Sequence, residues 1–188
     1  MSRSDKSEPR LGRVLITEAE LDARIQDLGQ AIARDYAKEG ETERPILVGV
    51  LQGAFLFMAD LIRRIPMDVS TDFISLASYG AGTSPSGVVR LQSDLSVSIE
   101  RRPVLIVEDI VDTGLTMSYL KRALSARHPR SLRVCVLLDK IERRQVELEV
   151  DYIGFTIPNV FVVGYGMDWN GRYRNLPYVA ALDDPSGR

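Results

Sequence analysis

One cysteine, one histidine and one tryptophan occur among 188 residues. A lone cysteine excludes an internal disulfide. Cys135 lies in the apolar run LRVCVLLD with no charged neighbour to lower its pKa, which is the setting of a buried strand residue and not of a nucleophile. His128 invites a catalytic reading as the only imidazole, but SARHPR is a predicted helix end where Lys121, Arg122, Arg127 and Arg130 also gather. Basic side chains there complement the helix dipole, so the cluster is structural and forms no nucleic-acid patch. An excess of charge is also missing: the net charge of -2 gives no whole-protein field that would draw nucleic acid or an anionic membrane. The longest apolar tract, VGVLQGAFLFMADLI, is broken by Gln52 and Asp60 and is too short to span a bilayer. MSRSDKSEPR has no apolar centre, is neither a secretory signal nor an anchor, and reads as the start of a disordered tail over residues 1–13. The expectation is a cytoplasmic protein with no membrane and no nucleic-acid partner.

A composition of 45% hydrophobic residues is enough to bury the core of one domain. Thr17 followed by Glu20 has capping-box spacing, and Leu21, Ile25, Leu28 and Ile32 recur at helical intervals, predicting a helix that ends near Gly40. PILVGVL, residues 45–51, has the continuous apolar character of a strand covered on both faces. A second helix is predicted from Ala54 to Arg64. MDVSTDFISLAS reads as a strand, YGAGTSPSG (79–87) as a long mobile loop, and VVRLQSDL as a returning strand. RPVLIVED (102–109) is a buried strand, Leu115–Arg127 a helix stopped by Pro129, and LRVCVLLD another strand. Strands alternating with helices predict a mostly parallel sheet with right-handed crossovers. There is no internal repeat, low-complexity tract or domain linker.

The anomaly is VLIVEDIVDTGLT, residues 104–116. A buried strand has no use for acids, yet this one runs into Glu108, Asp109 and Asp112. In open α/β sheets, ligands bind beyond the carboxyl ends of the strands. Between Asp112 and Thr116 the chain offers a glycine, two hydroxyls and backbone N–H groups at a helix start, which together make an anion cradle. It is a phosphate loop without a lysine. The Walker pattern GxxxxGK[ST] is absent, and GYGMDW at 164–169 lacks the last glycine of the dinucleotide fingerprint. A ligand that carries phosphate and also engages carboxylates is matched by a phosphorylated sugar, whose vicinal hydroxyls donate to acids that also hold Mg²⁺ directly or through water.

VLIVEDIVDTGLT resembles the phosphoribosyl-pyrophosphate motif of the type I phosphoribosyltransferases. The likeness continues in order through VGVLQGAFLFMADL, SLASYG, LLDK and DYIGFTIPNVFVVGYGMDWNGRYRNLPYVAAL, over residues 14–182. The first motif alone marks the superfamily, which pyrophosphokinases and regulators share. The tail is more specific and resembles the hypoxanthine–guanine branch. The resemblance implies an α/β fold with a mostly parallel central sheet flanked by helices and a small hood lobe built from the chain ends, all within one domain over residues 14–188. It implies transfer of 5-phosphoribose from 5-phosphoribosyl 1-pyrophosphate to N9 of a 6-oxopurine base, with Mg²⁺ required, and self-association as a homo-oligomer, dimer or tetramer.

Roles carried over from the family follow its motifs. Asp112, Thr113, Gly114, Leu115 and Thr116 are expected to hold the ribose 5-phosphate. Glu108 and Asp109 are expected at the ribose hydroxyls and the metal, and Asp112 also near purine N7, where it moves a proton. Gln52 and Gly53 stand in the turn that contacts pyrophosphate, where a cis peptide often occurs; here that bond would be Leu51–Gln52. Many relatives carry lysine at Gln52 and some at Leu115, departures that a backbone cradle tolerates. Arg174 resembles the arginine that grips pyrophosphate. Lys140 aligns with the lysine that donates to purine O6, favouring an oxo over an amino group. Phe161 resembles the aromatic stacked on the purine, the backbone of Val162 meets the ring edge, and Asp168 contributes to a second metal site through water. Ser78 and Tyr79 open the loop that resembles the family's lid.

Two other readings are weaker on the residues. A xanthine-preferring or pyrimidine phosphoribosyltransferase lacks the support that Lys140 and VFVVGYGMD give to 6-oxopurines. A non-catalytic, phosphoribosyl-pyrophosphate-sensing regulator would be expected to add a DNA-binding module or basic face and to lose the tail.

Overall fold

The computed structural model describes residues 10–38, 43–78 and 89–183. In chain order the elements are β1 (Arg10–Ile16), α1 (Glu18–Lys38), β2 (Ile46–Leu51), α2 (Phe55–Ile62), β3 (Ser70–Ser78), β4 (Val89–Ser93), β5 (Pro103–Val111), α3 (Leu115–Ser125), β6 (Ser131–Asp139), a 3₁₀ turn at Ile141–Arg143, β7 (Tyr152–Thr156), β8 (Val162–Val163) and β9 (Val179–Asp183).

Six strands form the central sheet in the order β4-β3-β2-β5-β6-β7, parallel except for the antiparallel edge strand β4. The uninterrupted apolar runs of β2, β5 and β6 follow from burial on both faces, since alternate side chains point to opposite sides. Leu47, Leu105, Val107, Cys135 and Leu137 pack under α1 and α2, while Val48, Val50, Ile106, Val134 and Val136 pack under α3. Each such aliphatic side chain contributes roughly 1.5–3 kcal/mol on full burial. The helical stripe predicted for α1 is the buried one: Leu21, Ile25, Leu28 and Ile32 are all in the core. Its start is the capping box, with Thr17 N–H donating to Glu20 Oε2 at 2.8 Å and Glu20 N–H to Thr17 Oγ1 at 3.3 Å. Among the described residues no helix is long and apolar enough to cross a membrane.

The chain ends build the hood. β1, β9 and β8 form a separate antiparallel sheet, in that order. Here the sequence reading needs correction: Arg10–Arg13, assigned to a disordered tail over residues 1–13, belong to β1, where Arg10 faces Asp183 and Leu11 faces Leu182. The pairing is made by the main chain on an exposed strand, so no apolar run announces it. Residues 1–9 lie outside the described residues. β5 also runs two residues beyond its expected end at Asp109, to Val111, so Glu108 and Asp109 are not its last residues. At the basic end of α3, His128 has a positive φ of 55° and its N–H donates to Ser125 O at 3.0 Å, closing the helix exit.

Candidate active site

The carboxyl ends of β2, β5 and β6 face the hood, and two adjoining cavities open there. Strand alternation divides the two acids of β5 between them. Glu108 lines a cavity of about 260 Å³ together with Asp112, Thr113, Gly114 and Thr116. Asp109 lines a second of about 370 Å³ with Gln52, Gly53, Lys140, Phe161 and Asp168. Ile110 and Asp112 line both. The Glu108 carboxyl is pushed well above the ordinary range, first by burial and then by the neighbouring Asp109 charge.

The first cavity is built around the start of α3. Gly114 caps α3 with a φ of 81°, a conformation that favours glycine, and a side chain there would press on Val146. The first intrahelical bond of α3 runs from Ser118 N–H to Gly114 O at 2.9 Å, so the N–H groups before Ser118 precede the helical ladder. Of these, Leu115 N–H is turned to Thr113 Oγ1 at 3.4 Å. The turn is braced from outside by Gln145 N–H, which donates to Thr113 O at 3.0 Å.

The second cavity is framed by the turn after β2 and by the hood. The Leu51–Gln52 peptide is cis. Gly53 is packed against the Asp109 carboxylate, and Gly166 against Gly53 O, so that a β-carbon fits at neither glycine. Arg174 joins the two walls: its Nη1 donates to Gly166 O at 2.6 Å, and its Nη2 is 2.7 Å from Asp168 Oδ1 and 3.4 Å from Gln52 Oε1. Asp168 Oδ2 also accepts from Gly171 N–H at 2.6 Å. On the β6 side, Lys140 is buried, its N–H donates to Val111 O at 3.0 Å, and its Nζ lies 3.4 Å from Asp112 Oδ2. Phe161 and Val162 close the hood wall.

Of the residues singled out in the sequence, Leu115 opens α3 without lining either cavity, and Ser78 ends β3. Tyr79 lies outside the described residues. Glu108, Asp109 and Asp168 do not converge on one point, and no cluster of three candidate metal ligands occurs among the described residues. Mg²⁺ does not need one: it keeps several waters and binds through one or two carboxylates plus substrate oxygens. Glu108 on one cavity and Asp109 and Asp168 on the other each offer carboxylate oxygens of the type that such a cation takes.

Two arginines were not foreseen. Arg143 Nε donates to Asp112 Oδ1 at 2.8 Å. Arg144 donates to the buried Asp139 Oδ1 from Nε at 3.1 Å and Nη2 at 2.9 Å. Consecutive arginines in IERRQVELEV look like a solvated charge run, and no spacing marks one as facing a site.

The whole arrangement defines a class. The chain belongs to the phosphoribosyl transferase domain family, whose model matches residues 19–170. Similar relatives are the hypoxanthine-guanine phosphoribosyltransferases of Mycobacterium tuberculosis, 50% identical over 90% of this chain and 85% of that protein, and of Dictyostelium discoideum, 48% identical over 91% and 95%. Among solved structures it resembles a hypoxanthine-guanine phosphoribosyltransferase from Bacillus anthracis, with a TM-score of 0.85 and 45% identity over 92% of this chain and 99% of that one. A hypoxanthine phosphoribosyltransferase from Staphylococcus aureus has a TM-score of 0.87 and 41% identity over 94% of each chain.

Proposed function

We propose that this chain is a glycosyltransferase of purine salvage. It moves 5-phosphoribose from 5-phosphoribosyl 1-pyrophosphate to N9 of hypoxanthine or guanine, giving IMP or GMP and releasing pyrophosphate. One observation carries the reading: Asp112 stands on the wall common to the phosphate cradle and to the cavity holding Lys140 and Phe161. A sugar phosphate in the first and a purine in the second would meet at that carboxylate.

In the reaction the bond from ribose C1′ to the pyrophosphate oxygen breaks, its electron pair leaving with pyrophosphate, and the C1′–N9 bond forms. The purine gives up its proton at N7, and Asp112 accepts it. The N–H groups of the Thr113–Thr116 turn and the α3 N-terminus hold the 5-phosphate. Glu108 and Asp109 accept from the ribose hydroxyls and, with Asp168, are the residues that would hold Mg²⁺. Such an ion would supply charge neutralisation on the leaving pyrophosphate. Gln52, Gly53 and Arg174 receive that anion through main-chain N–H groups and a guanidinium. Lys140 donates to purine O6, Phe161 stacks on the ring, and the Val162 backbone meets its edge. Because the transition state separates charge, these fixed dipoles and cations supply the catalysis by electrostatic stabilisation and positioning. The reading includes a cytoplasmic location, assembly as a dimer or tetramer, and a lid beginning at Ser78 and Tyr79.

The test is an assay of purified protein with phosphoribosyl pyrophosphate, Mg²⁺ and each of hypoxanthine, guanine, xanthine, adenine and orotate. Turnover is expected with the first two and should vanish with EDTA. Turnover with orotate alone, or with no base, overturns the proposal.

A further inference from the structure

We propose that Arg143 is a positioning residue for Asp112, holding that carboxylate in register when Lys140 turns to the purine. The inference rests on the reaction proposed above. Each oxygen of Asp112 has its own cation: Oδ1 is 2.8 Å from Arg143 Nε, and Oδ2 is 3.4 Å from Lys140 Nζ. The Lys140 contact is at the long limit of a hydrogen bond, and its ammonium has a second claim on it from the oxo group of the base. Arg143 has no such claim, because it lines neither cavity.

The turn that presents Arg143 is fixed independently of any ligand. Arg143 N–H donates to Lys140 O at 2.8 Å and Arg144 N–H to Ile141 O at 3.2 Å, closing the 3₁₀ turn. Arg144 then fastens the turn to the buried Asp139. Backbone at Lys140 is itself tied to β5 through Val111 O. Arg143 therefore approaches Asp112 from a turn closed without any ligand, while Lys140 faces the purine cavity as well as the carboxylate. A guanidinium stays charged throughout, so it orients the carboxylate both before and after the N7 proton arrives. With Oδ1 held, Oδ2 is the oxygen left to take that proton.

The test is a double-mutant cycle on kcat and on the KM of hypoxanthine and phosphoribosyl pyrophosphate, with the melting temperature of each variant recorded. Arg143→Ala is expected to lower kcat about tenfold, the equivalent of one charge-assisted hydrogen bond, with both KM values little changed. Arg143→Lys should restore most of the loss, and Arg143→Gln, which keeps the stem but not the charge, should not. In an Asp112→Asn background, Arg143→Ala should cost nothing further, since the two residues act as one unit. Wild-type kcat in both Arg143→Ala and Arg143→Gln, or a full additional loss on top of Asp112→Asn, overturns the inference. A wild-type chain that transfers phosphoribose to no purine overturns the functional reading as well, whereas an active wild type indifferent to Arg143 overturns this step alone.

Discussion

The carboxylate of Asp109 occupies the space that a β-carbon on Gly53 would fill. The strand that carries the acids and the turn after β2 therefore approach each other closely through a glycine. Gly53→Ala would push on the carboxylate itself, at the point where ribose and pyrophosphate are proposed to meet. A displacement on the order of 1 Å at such a position costs about a hundredfold in rate. We expect kcat/KM for phosphoribosyl pyrophosphate to fall by about that factor while the fold persists. An alanine variant with full activity would show that Asp109 is not held where the reaction needs it.

Lys140 tests the purine side. It is buried, yet it faces a cavity as well as Asp112, so its ammonium has room for a further acceptor. A charge-assisted hydrogen bond to the O6 of hypoxanthine contributes about 1.5–3 kcal/mol, or roughly tenfold to a hundredfold in affinity. Lys140→Ala should raise the KM of hypoxanthine and guanine within that range and narrow the preference for them over adenine. The KM of phosphoribosyl pyrophosphate serves as the internal control and should change far less.

The sequence spelled out whatever burial or a helix start imposes on residue type. The double-faced strands β2, β5 and β6 have to be continuous apolar runs, and the phosphate turn has to offer glycine and hydroxyls at a helix N-terminus, so both could be read directly. The hood was harder. β1 is joined to β9 by main-chain bonds, with a register that slips between Leu11 and Val14 and again before Ile16, and four of its seven residues are exposed. Such a strand leaves almost no pattern of composition, so Arg10–Arg13 look like a tail in the sequence. Arg143 and Arg144 were illegible for a different reason. Whether either of two adjacent arginines faces solvent, a buried aspartate or a catalytic carboxylate depends on how a three-residue turn is folded back, and residue type says nothing about that.

Asp139 and Arg144 form a nearly closed-off pair, with side chains only 2% and 15% exposed. Removing one partner strands the other charge away from water, at a cost of about 3–5 kcal/mol, whereas replacing both with apolar residues is close to neutral. Arg144 also lies against Gly114, and the next residue braces Thr113. We therefore expect Asp139→Asn to lower the melting temperature and also to weaken phosphoribosyl pyrophosphate binding, because the strap over the phosphate turn loosens. A double replacement of Asp139 and Arg144 by leucine should recover stability in chemical denaturation without recovering that binding. Separating the two effects would show that the pair serves the turn and not only the core.

Cys135 is fully buried in β6, and burial pushes its thiol far above the ordinary range, the nearby Asp151 adding to the shift and Arg24 opposing it. The sign of the consequence follows from linkage. The folded state keeps the proton, while the unfolded chain loses it near the ordinary thiol pKa of about 8.5, so this group's contribution is complete below that pH and declines as pH rises above it. Unfolding free energy measured by denaturant should accordingly fall between about pH 8.5 and pH 10 by an amount that Cys135→Ala removes, even though the alanine variant starts lower from loss of packing. In the native wild type a thiol reagent at pH 8 should find nothing to modify, and reaction should appear only as the chain unfolds. Rapid labelling of the folded protein would mean that β6 opens to solvent far more readily than a central strand between two packed helical layers allows.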